Sequence, residues 1–142
     1  MRLNVTSRGR YALRVMMALA QHADEGFVSL ATLGERQSIS TKYLEAIAAS
    51  LRKAGLVESS RGKEGGYRLA RSPADYSVGE ILSSVEDSLA PVACMRLDAV
   101  ACERAEECRT LPMWMELDAI TRAYLDSVRL TDLLSGERWK KT

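Results

Sequence analysis

Residues 29–70 decide the fold, and they read SLATLGERQSISTKYLEAIAASLRKAGLVESSRGKEGGYRLA. Ser29 is a residue type that caps helices, and apolar residues follow it at helical spacing, which predicts a short helix that stops near Gln37. The segment Ser38-Ile39-Ser40 is a tight connection, and its last serine is well placed to cap the next helix. The pattern therefore predicts two helices joined by a short turn.

The rest of this stretch predicts one more helix and a hairpin. The buried face of the helix is marked by apolar residues at helical spacing, and Gly55 can end the helix. Beyond it the period changes to that of two short strands, Leu56–Ser60 and Tyr67–Ala70. The segment Arg61–Gly66 between them carries the glycines of a hairpin tip. This order of elements is typical of a winged helix-turn-helix. The apolar residues of the helix face are Leu44, Ile47, Ala48 and Leu51.

Four further positions mark helix starts outside this stretch. Ser7 is a candidate N-cap for a first helix that ends near His22. Ser77 and Glu80 have the spacing of a capping box, which opens a helix that runs through Val85. Pro112 falls in the first turn of a long helix, and Thr131 is a candidate cap for a last short one. The predicted fold class is mostly α with a small β wing.

The long helix carries an apolar stripe close to heptad spacing. Such a stripe, far from the N-terminal core, suits pairing with a second copy of the chain and predicts a homodimer. The alternative is that it packs on its own chain. The predicted division is a DNA-binding domain at 1–75, with a sensor loop at about 88–110 and dimerisation helices within 76–142. The residues of the stripe are Met113, Leu117, Ile120, Tyr124 and Val128.

Composition and charge agree with a compact chain that meets a polyanion on one side. Hydrophobic residues make up 46% of the 142 residues, and the net charge is +1. Up to Ser72 there are twelve basic and six acidic residues, whereas from Pro73 onward there are eight and thirteen. This asymmetry indicates that the first half meets a nucleic acid, although an unevenly charged solvated surface is the alternative.

The apolar stretch Val15–Ala20 is too short to span a membrane and no leader precedes it, which favours the cytoplasm.

The residues predicted to read DNA lie at the start of the second helix of the helix-turn-helix and at the wing. The N-terminal end of such a helix enters the major groove, where hydroxyls and a lysine suit phosphates and a glutamate can accept from cytosine N4. An arginine beside a glycine at the wing tip can enter the minor groove. The expected partner is a pseudo-palindromic operator in double-stranded DNA. The candidates are Ser40, Thr41, Lys42, Glu45, Arg52, Arg61 and Gly62.

At these residues the sequence resembles the Rrf-two family of winged-helix regulators over essentially its whole length. The resemblance implies a dimer with crossed long helices and two winged domains. By matching position, it implies DNA contacts at Ser40, Thr41, Glu45, Arg52, Arg61 and Gly62. It rests on the segments Ser7–Leu13, Tyr43–Glu45, Leu51–Val57, Arg61-Gly62, Gly65–Tyr67 and Ser77–Ile81.

The three cysteines, Cys94, Cys102 and Cys108, form C-x7-C-x5-C in one irregular segment. Three thiols so placed in a cytosolic protein are more naturally metal ligands than disulfide partners. The cluster-binding branch of the family has three cysteines in this loop, so the resemblance implies an iron–sulfur cluster of the [2Fe–2S] type. The alternatives are three ordinary cysteines or an iron-free thiol switch.

The segment departs from the family pattern at its fourth ligand. The first spacing is seven residues where typical members have five, and Leu111 and Arg10 stand where relatives place a histidine or an acidic ligand. A [2Fe–2S] cluster takes four ligands, and a dimer supplies six cysteines for two clusters. A nearby carboxylate, His22, water or a small thiol could complete each site, or one cluster could be shared. His22 is better explained as a surface histidine.

The function that these patterns favour is a DNA-binding regulator whose operator affinity depends on a cluster in the cysteine loop. A regulator that responds to thiol oxidation without a cluster is the first alternative. A dimer that acts mainly by docking on a metabolic enzyme is the second. Enzyme activity is disfavoured, because the chain has one histidine, no phosphate-cradling glycine loop and no recognisable nucleophile–base pair.

Overall fold

The computed structural model describes residues 5–92, 95 and 106–141, so Cys94 and Cys102 lie outside the described residues. Most of the described chain is helical, with one two-stranded antiparallel sheet, which confirms the predicted fold class. Short 3₁₀ turns lie at Ala23–Glu25, Pro73–Asp75 and Glu137–Trp139. The main elements are α1 (Ser7–Gln21), α2 (Leu30–Gln37), α3 (Thr41–Lys53), β1 (Val57–Ser60), β2 (Gly66–Leu69), α4 (Val78–Val85), α5 (Leu111–Ser127) and α6 (Leu130–Ser135).

The helix-turn-helix is formed by α2 and α3, and both of its predicted caps are confirmed. The Ser29 hydroxyl accepts from the Thr32 amide at 3.1 Å, and the Ser40 hydroxyl accepts from the Tyr43 amide at 3.2 Å. Ser38 between the helices has a left-handed backbone, with φ of 55°. This conformation lets the chain reverse within three residues.

The predicted end of α3 at Gly55 is also confirmed. Gly55 has φ of +77°, and the amide of Leu56 donates to the carbonyl of Leu51 at 3.0 Å. These are the features of a Schellman cap, which needs a left-handed residue just after the helix. The chain therefore turns directly from the reading helix into the wing.

The wing is a hairpin in which Val57 pairs with Leu69 and Ser60 pairs with Gly66. Each strand begins one residue away from its predicted start. The hairpin also pairs with Val28, which exchanges two backbone hydrogen bonds of 2.8 Å with Tyr67. A Cβ on Gly66 would overlap the Val28 carbonyl, so only glycine allows this approach. The wing is thus anchored to the connection between α1 and α2.

Two predicted caps are wrong by one or two residues. Ser7 is the first residue of α1, and Thr6 occupies the N-cap position. Thr131 lies inside α6, which begins at Leu130, and the Leu130 amide donates to the Tyr76 carbonyl at 3.1 Å. Asp132 then caps that helix by accepting from the Arg129 amide at 2.8 Å.

The capping box predicted at the start of α4 is half formed. The Ser77 hydroxyl accepts from the Glu80 amide at 3.0 Å, as predicted. The Glu80 carboxylate instead accepts from Arg71 at 2.7 Å, which ties α4 to the segment that follows the wing. The first turn of α4 therefore also connects the two halves of the chain, through Glu80.

One hydrophobic core receives residues from both halves of the chain. Tyr76 is fully buried, and its hydroxyl donates to the Leu56 carbonyl at 2.7 Å and accepts from the Arg71 amide at 2.9 Å. The division of the chain at residue 75 stays a prediction, with core side chains on both sides of it. The larger buried members are Met16, Leu19, Leu33, Leu44, Ile47, Leu51, Leu56, Tyr76, Ile81, Val85 and Leu130.

The long helix α5 packs one face on α4 and leaves another uncovered. Met113, Ile120 and Tyr124 of the predicted stripe are 53%, 59% and 50% exposed. Val128 is a correction to the stripe, because α5 ends at Ser127 and Val128 is buried against Val78 in its own chain. No helix in the described ranges is long and apolar enough to cross a membrane.

The turn of the helix-turn-helix leaves no room for a side chain at Gly34. A Cβ there would lie 2.8 Å from the Ile39 carbonyl oxygen, so we expect Gly34→Ala to lower the free energy of unfolding by about 1–3 kcal/mol. Ser38→Gly is the matched control in the same turn, and it should leave stability unchanged or raised because it relieves a left-handed serine. Urea unfolding followed by circular dichroism measures both. Equal stability of Gly34→Ala and the wild type would contradict this packing.

Candidate nucleic-acid interface

The reading helix α3 turns one face into the core and the other to solvent. Leu44, Ile47 and Leu51 are buried, as predicted. The candidate residues Ser40, Thr41, Lys42, Glu45 and Arg52 are all exposed. Because they occupy the start and the outer face of one helix, a groove-sized ligand can reach them together.

The two wing candidates, Arg61 and Gly62, lie together in the exposed tip between β1 and β2. Gly62 has φ of +103°, a conformation that side chains other than glycine rarely adopt. A Cβ on Gly62 would meet nothing within 4 Å, so this glycine serves the turn and not the packing. The tip is therefore thin and carries an arginine at its edge.

Among the described basic residues of the N-terminal half, Arg10 and Arg14 donate to Ser7 and Gln37, and the others fall into two groups. Arg36, Arg68 and Arg71 pair with Glu25, Glu58 and Glu80 at 3.4, 2.9 and 2.7 Å. The side chains of a second group make no hydrogen bond or ion pair with any part of the chain that the structure describes: Arg8, Lys42, Arg52, Lys53, Arg61 and Lys63. Five of these six lie on α3 or in the wing, so the unneutralised positive charge is concentrated on the candidate interface.

Residues of α1 support this interface, and this role was not predicted from the sequence. The ring of Tyr11 meets the ring of Tyr43 edge-on, with 5.6 Å between centroids. Arg14 donates to the backbone oxygen of Gln37 and, at 3.3 Å, to its side-chain oxygen. These contacts fix the end of α2 and the start of α3. To predict these contacts from the sequence, one would need to know which side of α1 faces the turn between α2 and α3.

Of the predicted cluster ligands, the structure describes Cys108 alone. Its sulfur lies 3.3 Å from the Thr110 hydroxyl, just before the start of α5. The hydrogen bond with Thr110 and the backbone amides of Thr110 and Leu111 lower the pKa of the Cys108 thiol below its usual value. Thiolate is the form that binds metal, so this position suits a metal ligand.

No group of three side chains that could hold a metal ion is found within the described ranges. His22 follows the last residue of α1 and lies 3.4 Å from Glu25. His22 lies about 20 Å along α1 from Gly9, and Gly9 is the residue of α1 that contacts the end of α4. Arg10, at the other end of α1, donates to the Ser7 hydroxyl at 3.0 Å. The fourth ligand therefore stays unassigned.

Comparison with known proteins places this architecture in a family. The model of the Rrf2 family, described as iron-dependent transcriptional regulators, matches residues 5–136. The chain belongs to the Rrf2 family of transcriptional regulators, and the resemblance inferred from sequence is confirmed.

Individual relatives agree with this family assignment. The HTH-type transcriptional regulator IscR of Aliivibrio salmonicida is 41% identical over 132 residues, which are 93% of this chain and 77% of that protein. IscR of Serratia proteamaculans is 36% identical over 135 residues, which are 95% of this chain and 81% of that protein. These relatives are regulators and not enzymes, as the sequence predicted.

Solved structures share the fold over nearly the whole chain. CymR, the global cysteine regulator of B. subtilis, superposes with a TM-score of 0.78 at 33% identity and covers 95% of this chain and 98% of its own. IscR of T. potens gives a TM-score of 0.72 at 37% identity, with 99% and 93% covered. The winged helix-turn-helix and the long helix are thus features shared with known regulators.

Proposed function

We propose that this protein is a cytoplasmic transcription regulator that reads a pseudo-palindromic DNA operator through α3 and the wing. The observation that carries the proposal is the grouping of unpaired basic side chains on those two elements, while Arg36, Arg68 and Arg71 of the N-terminal half are held by carboxylates. DNA phosphates supply the counter-charge that the chain itself does not.

Each candidate residue has a role that its position supports. Thr41 and Lys42 stand in the first turn of α3, where a hydroxyl and an ammonium suit phosphate oxygens. Glu45 projects from the same face and can accept a hydrogen bond from cytosine N4. Arg52 lies about two turns further along the helix and suits the DNA backbone.

The remaining three residues flank that helix contact. The Ser40 hydroxyl oxygen already caps α3 as an acceptor, and its proton remains available to donate to a phosphate. At the wing, Gly62 lets the backbone approach the duplex, and Arg61 can enter a narrow minor groove.

Arg61→Ala should weaken operator binding and lower the dependence of affinity on salt concentration, because it removes a cation from the wing tip. Arg68→Ala is the matched control: it removes the same charge from the same hairpin, but from a guanidinium held by Glu58 and stacked 4.4 Å from the Phe27 ring. Fluorescence anisotropy with the operator duplex at several salt concentrations measures both. An equal loss in the two variants would contradict a specific role for the tip.

In the same assay, Glu45→Ala should relax discrimination at particular base pairs by about 1–3 kcal/mol. Unchanged discrimination would remove Glu45 from the set of base-reading residues.

The uncovered face of α5 supports a dimer as the working unit. Met113, Ile120 and Tyr124 lie at spacings of seven and four residues, so they share one side of the helix. Three large apolar side chains, each at least half exposed, are expensive to leave in water. A second copy packed along this face would bury them and hold two reading helices at a fixed separation.

Ile120→Asp should therefore yield a monomer with much weaker operator binding. Ala119→Asp is the control, because it adds the same charge one residue away, about 100° around the helix, at another exposed position. Light scattering at matched concentration reports the oligomeric state. An intact Ile120→Asp dimer would place the interface on another surface.

We further propose that Cys94, Cys102 and Cys108 hold an iron–sulfur cluster of the [2Fe–2S] type that controls operator binding. Cys108, the one of these cysteines that the structure describes, suits a metal ligand because its neighbours donate hydrogen bonds that favour the thiolate. The cluster would supply a redox-active group whose gain or loss changes the charge of this segment. The chain would then shift between two positions of α3 that differ in affinity for DNA.

Each single Cys→Ser variant of the three cysteines should lose or destabilise the cluster, while His22→Ala should keep it. His22 is held beside Glu25 at the far end of α1, which supports an oxygen or exchangeable fourth ligand instead. The measurement is iron and acid-labile sulfide per chain, with the visible spectrum, after anaerobic reconstitution. Colourless, iron-free wild-type protein would overturn the cluster proposal, and cluster loss in His22→Ala alone would make His22 the ligand.

A thiol switch without iron is the second candidate, and the surroundings of Cys108 favour it. A thiol whose pKa is lowered forms more of the reactive thiolate near neutral pH. Retained sensitivity of operator binding to peroxide in iron-free protein would distinguish this candidate from the cluster.

A further inference from the structure

We infer that Glu86 is a positioning residue that links the C-terminal half of the chain to the DNA-reading face. Its carboxylate holds the N-terminus of α1, and α1 in turn holds both sides of the helix-turn-helix turn through Arg14 and Tyr11. The inference rests on the proposed DNA-reading function of α3.

The N-terminus of α1 lacks a cap of its own. Thr6 stands at the N-cap position, but its side chain makes no capping hydrogen bond to the helix, and the first turn contains no acidic residue. That turn carries Arg8 and Arg10, whose charges are unfavourable at the positive end of a helix. The free amides of this turn therefore need an acceptor from elsewhere.

Glu86, the C-cap residue of α4, supplies that acceptor. Its Oε1 atom accepts from the Thr6 amide at 2.7 Å and from the Gly9 amide at 3.1 Å. The Thr6 hydroxyl donates to both carboxylate oxygens, at 2.9 and 3.1 Å. A Cβ on Gly9 would overlap Glu86 Oε1, so the glycine makes room for the carboxylate. One side chain thus fixes the start of α1 against the end of α4.

The same helix fixes the reading face within about the next one and a half turns. Tyr11 lies two residues after Gly9, and its ring supports Tyr43 in the first turn of α3. Arg14 follows one turn later and binds the last residue of α2. A shift of α1 would therefore move contacts on both sides of the turn at once.

Glu86 also stands at a particular place in the chain. It ends α4 and lies eight residues before Cys94. On its N-terminal side, the proposed sensor segment is therefore joined covalently to α4 through the residue that holds α1. Under the proposed function, a change in that segment reaches α3 through this carboxylate.

The test compares Glu86→Gln with Asp87→Asn in the full-length protein. Both variants remove one negative charge from adjacent residues, but Asp87 makes no hydrogen bond or ion pair with the described part of the chain. Gly9→Ala is the second variant, because it displaces the carboxylate while leaving Glu86 in place. The measurements are amide hydrogen exchange without DNA and affinity for the operator duplex selected by the wild type, both at a temperature where circular dichroism shows folded protein.

We expect Glu86→Gln and Gly9→Ala to speed exchange at the start of α1 and also across residues 38–46, and to weaken operator binding by about tenfold. Asp87→Asn should match the wild type in both measurements. In a double-mutant cycle, the effects of Glu86→Gln and Tyr11→Leu on affinity should not add, because both act through α1.

Faster exchange confined to residues 5–10, with operator affinity equal to that of Asp87→Asn, would overturn the inference and leave Glu86 a purely local cap. Additive effects in the cycle would overturn it as well. A wild-type protein that selects no duplex would refute the proposed function instead, and the exchange across residues 38–46 would still decide the role of Glu86.

Discussion

The buried hydroxyl of Tyr76 is the constraint on which the arrangement of the two halves depends. A phenol without access to water needs hydrogen-bond partners, and Tyr76 finds them in the Leu56 carbonyl and the Arg71 amide at the two ends of the wing. The backbone of the same residue accepts from Leu130, which begins α6. Its ring lies under the Arg71 guanidinium, 4.4 Å from centroid to Cζ. The wing, α4 and the C-terminal helices are therefore positioned by one side chain and its backbone.

Charge in this protein serves structure and recognition through different residues. Arg68 is held between Glu58 and the Phe27 ring at the base of the wing, and Arg71 is held between Glu80 and Tyr76. Arg61 and Lys63 are only a few residues away and make no such contacts within the described ranges. A count of charges along the sequence cannot separate these groups, because the separation depends on which carboxylates the fold brings near.

Local patterns predicted the elements well, and tertiary contacts explain the errors. Ser29, Ser40 and Gly55 act within four residues of themselves, so their roles could be predicted from sequence. The cap of α1 could not, because it comes from Glu86, about eighty residues away in the chain. Val128 was assigned to an exposed stripe by extending the helical period past the end of α5. Its carbonyl in fact accepts from the Val78 amide at 2.8 Å, which draws it into the core.

The residues of the candidate site also divide into those that local sequence patterns predict and those that depend on tertiary contacts. Exposure of the reading helix and the positive φ of the wing glycine follow from periodicity and turn chemistry, so Glu45, Arg61 and Gly62 were accessible to sequence reasoning. The support that Tyr11 and Arg14 give to the turn was not, because it depends on the rotation of α1 against α2 and α3. Membership of the Rrf2 family rests on a match over residues 5–136 and not on any one of these side chains.

The central claim is that a dimer of winged helix-turn-helix domains reads DNA under the control of the cysteine segment. Selection of duplexes from a random library by anaerobically reconstituted protein and by iron-free protein tests it most directly. The account predicts enrichment of two inverted half-sites whose centres are about 10 base pairs or a multiple apart, with affinity that differs between the two forms. Failure of both forms to enrich any sequence, or the same sites bound with the same affinity by both, would contradict it.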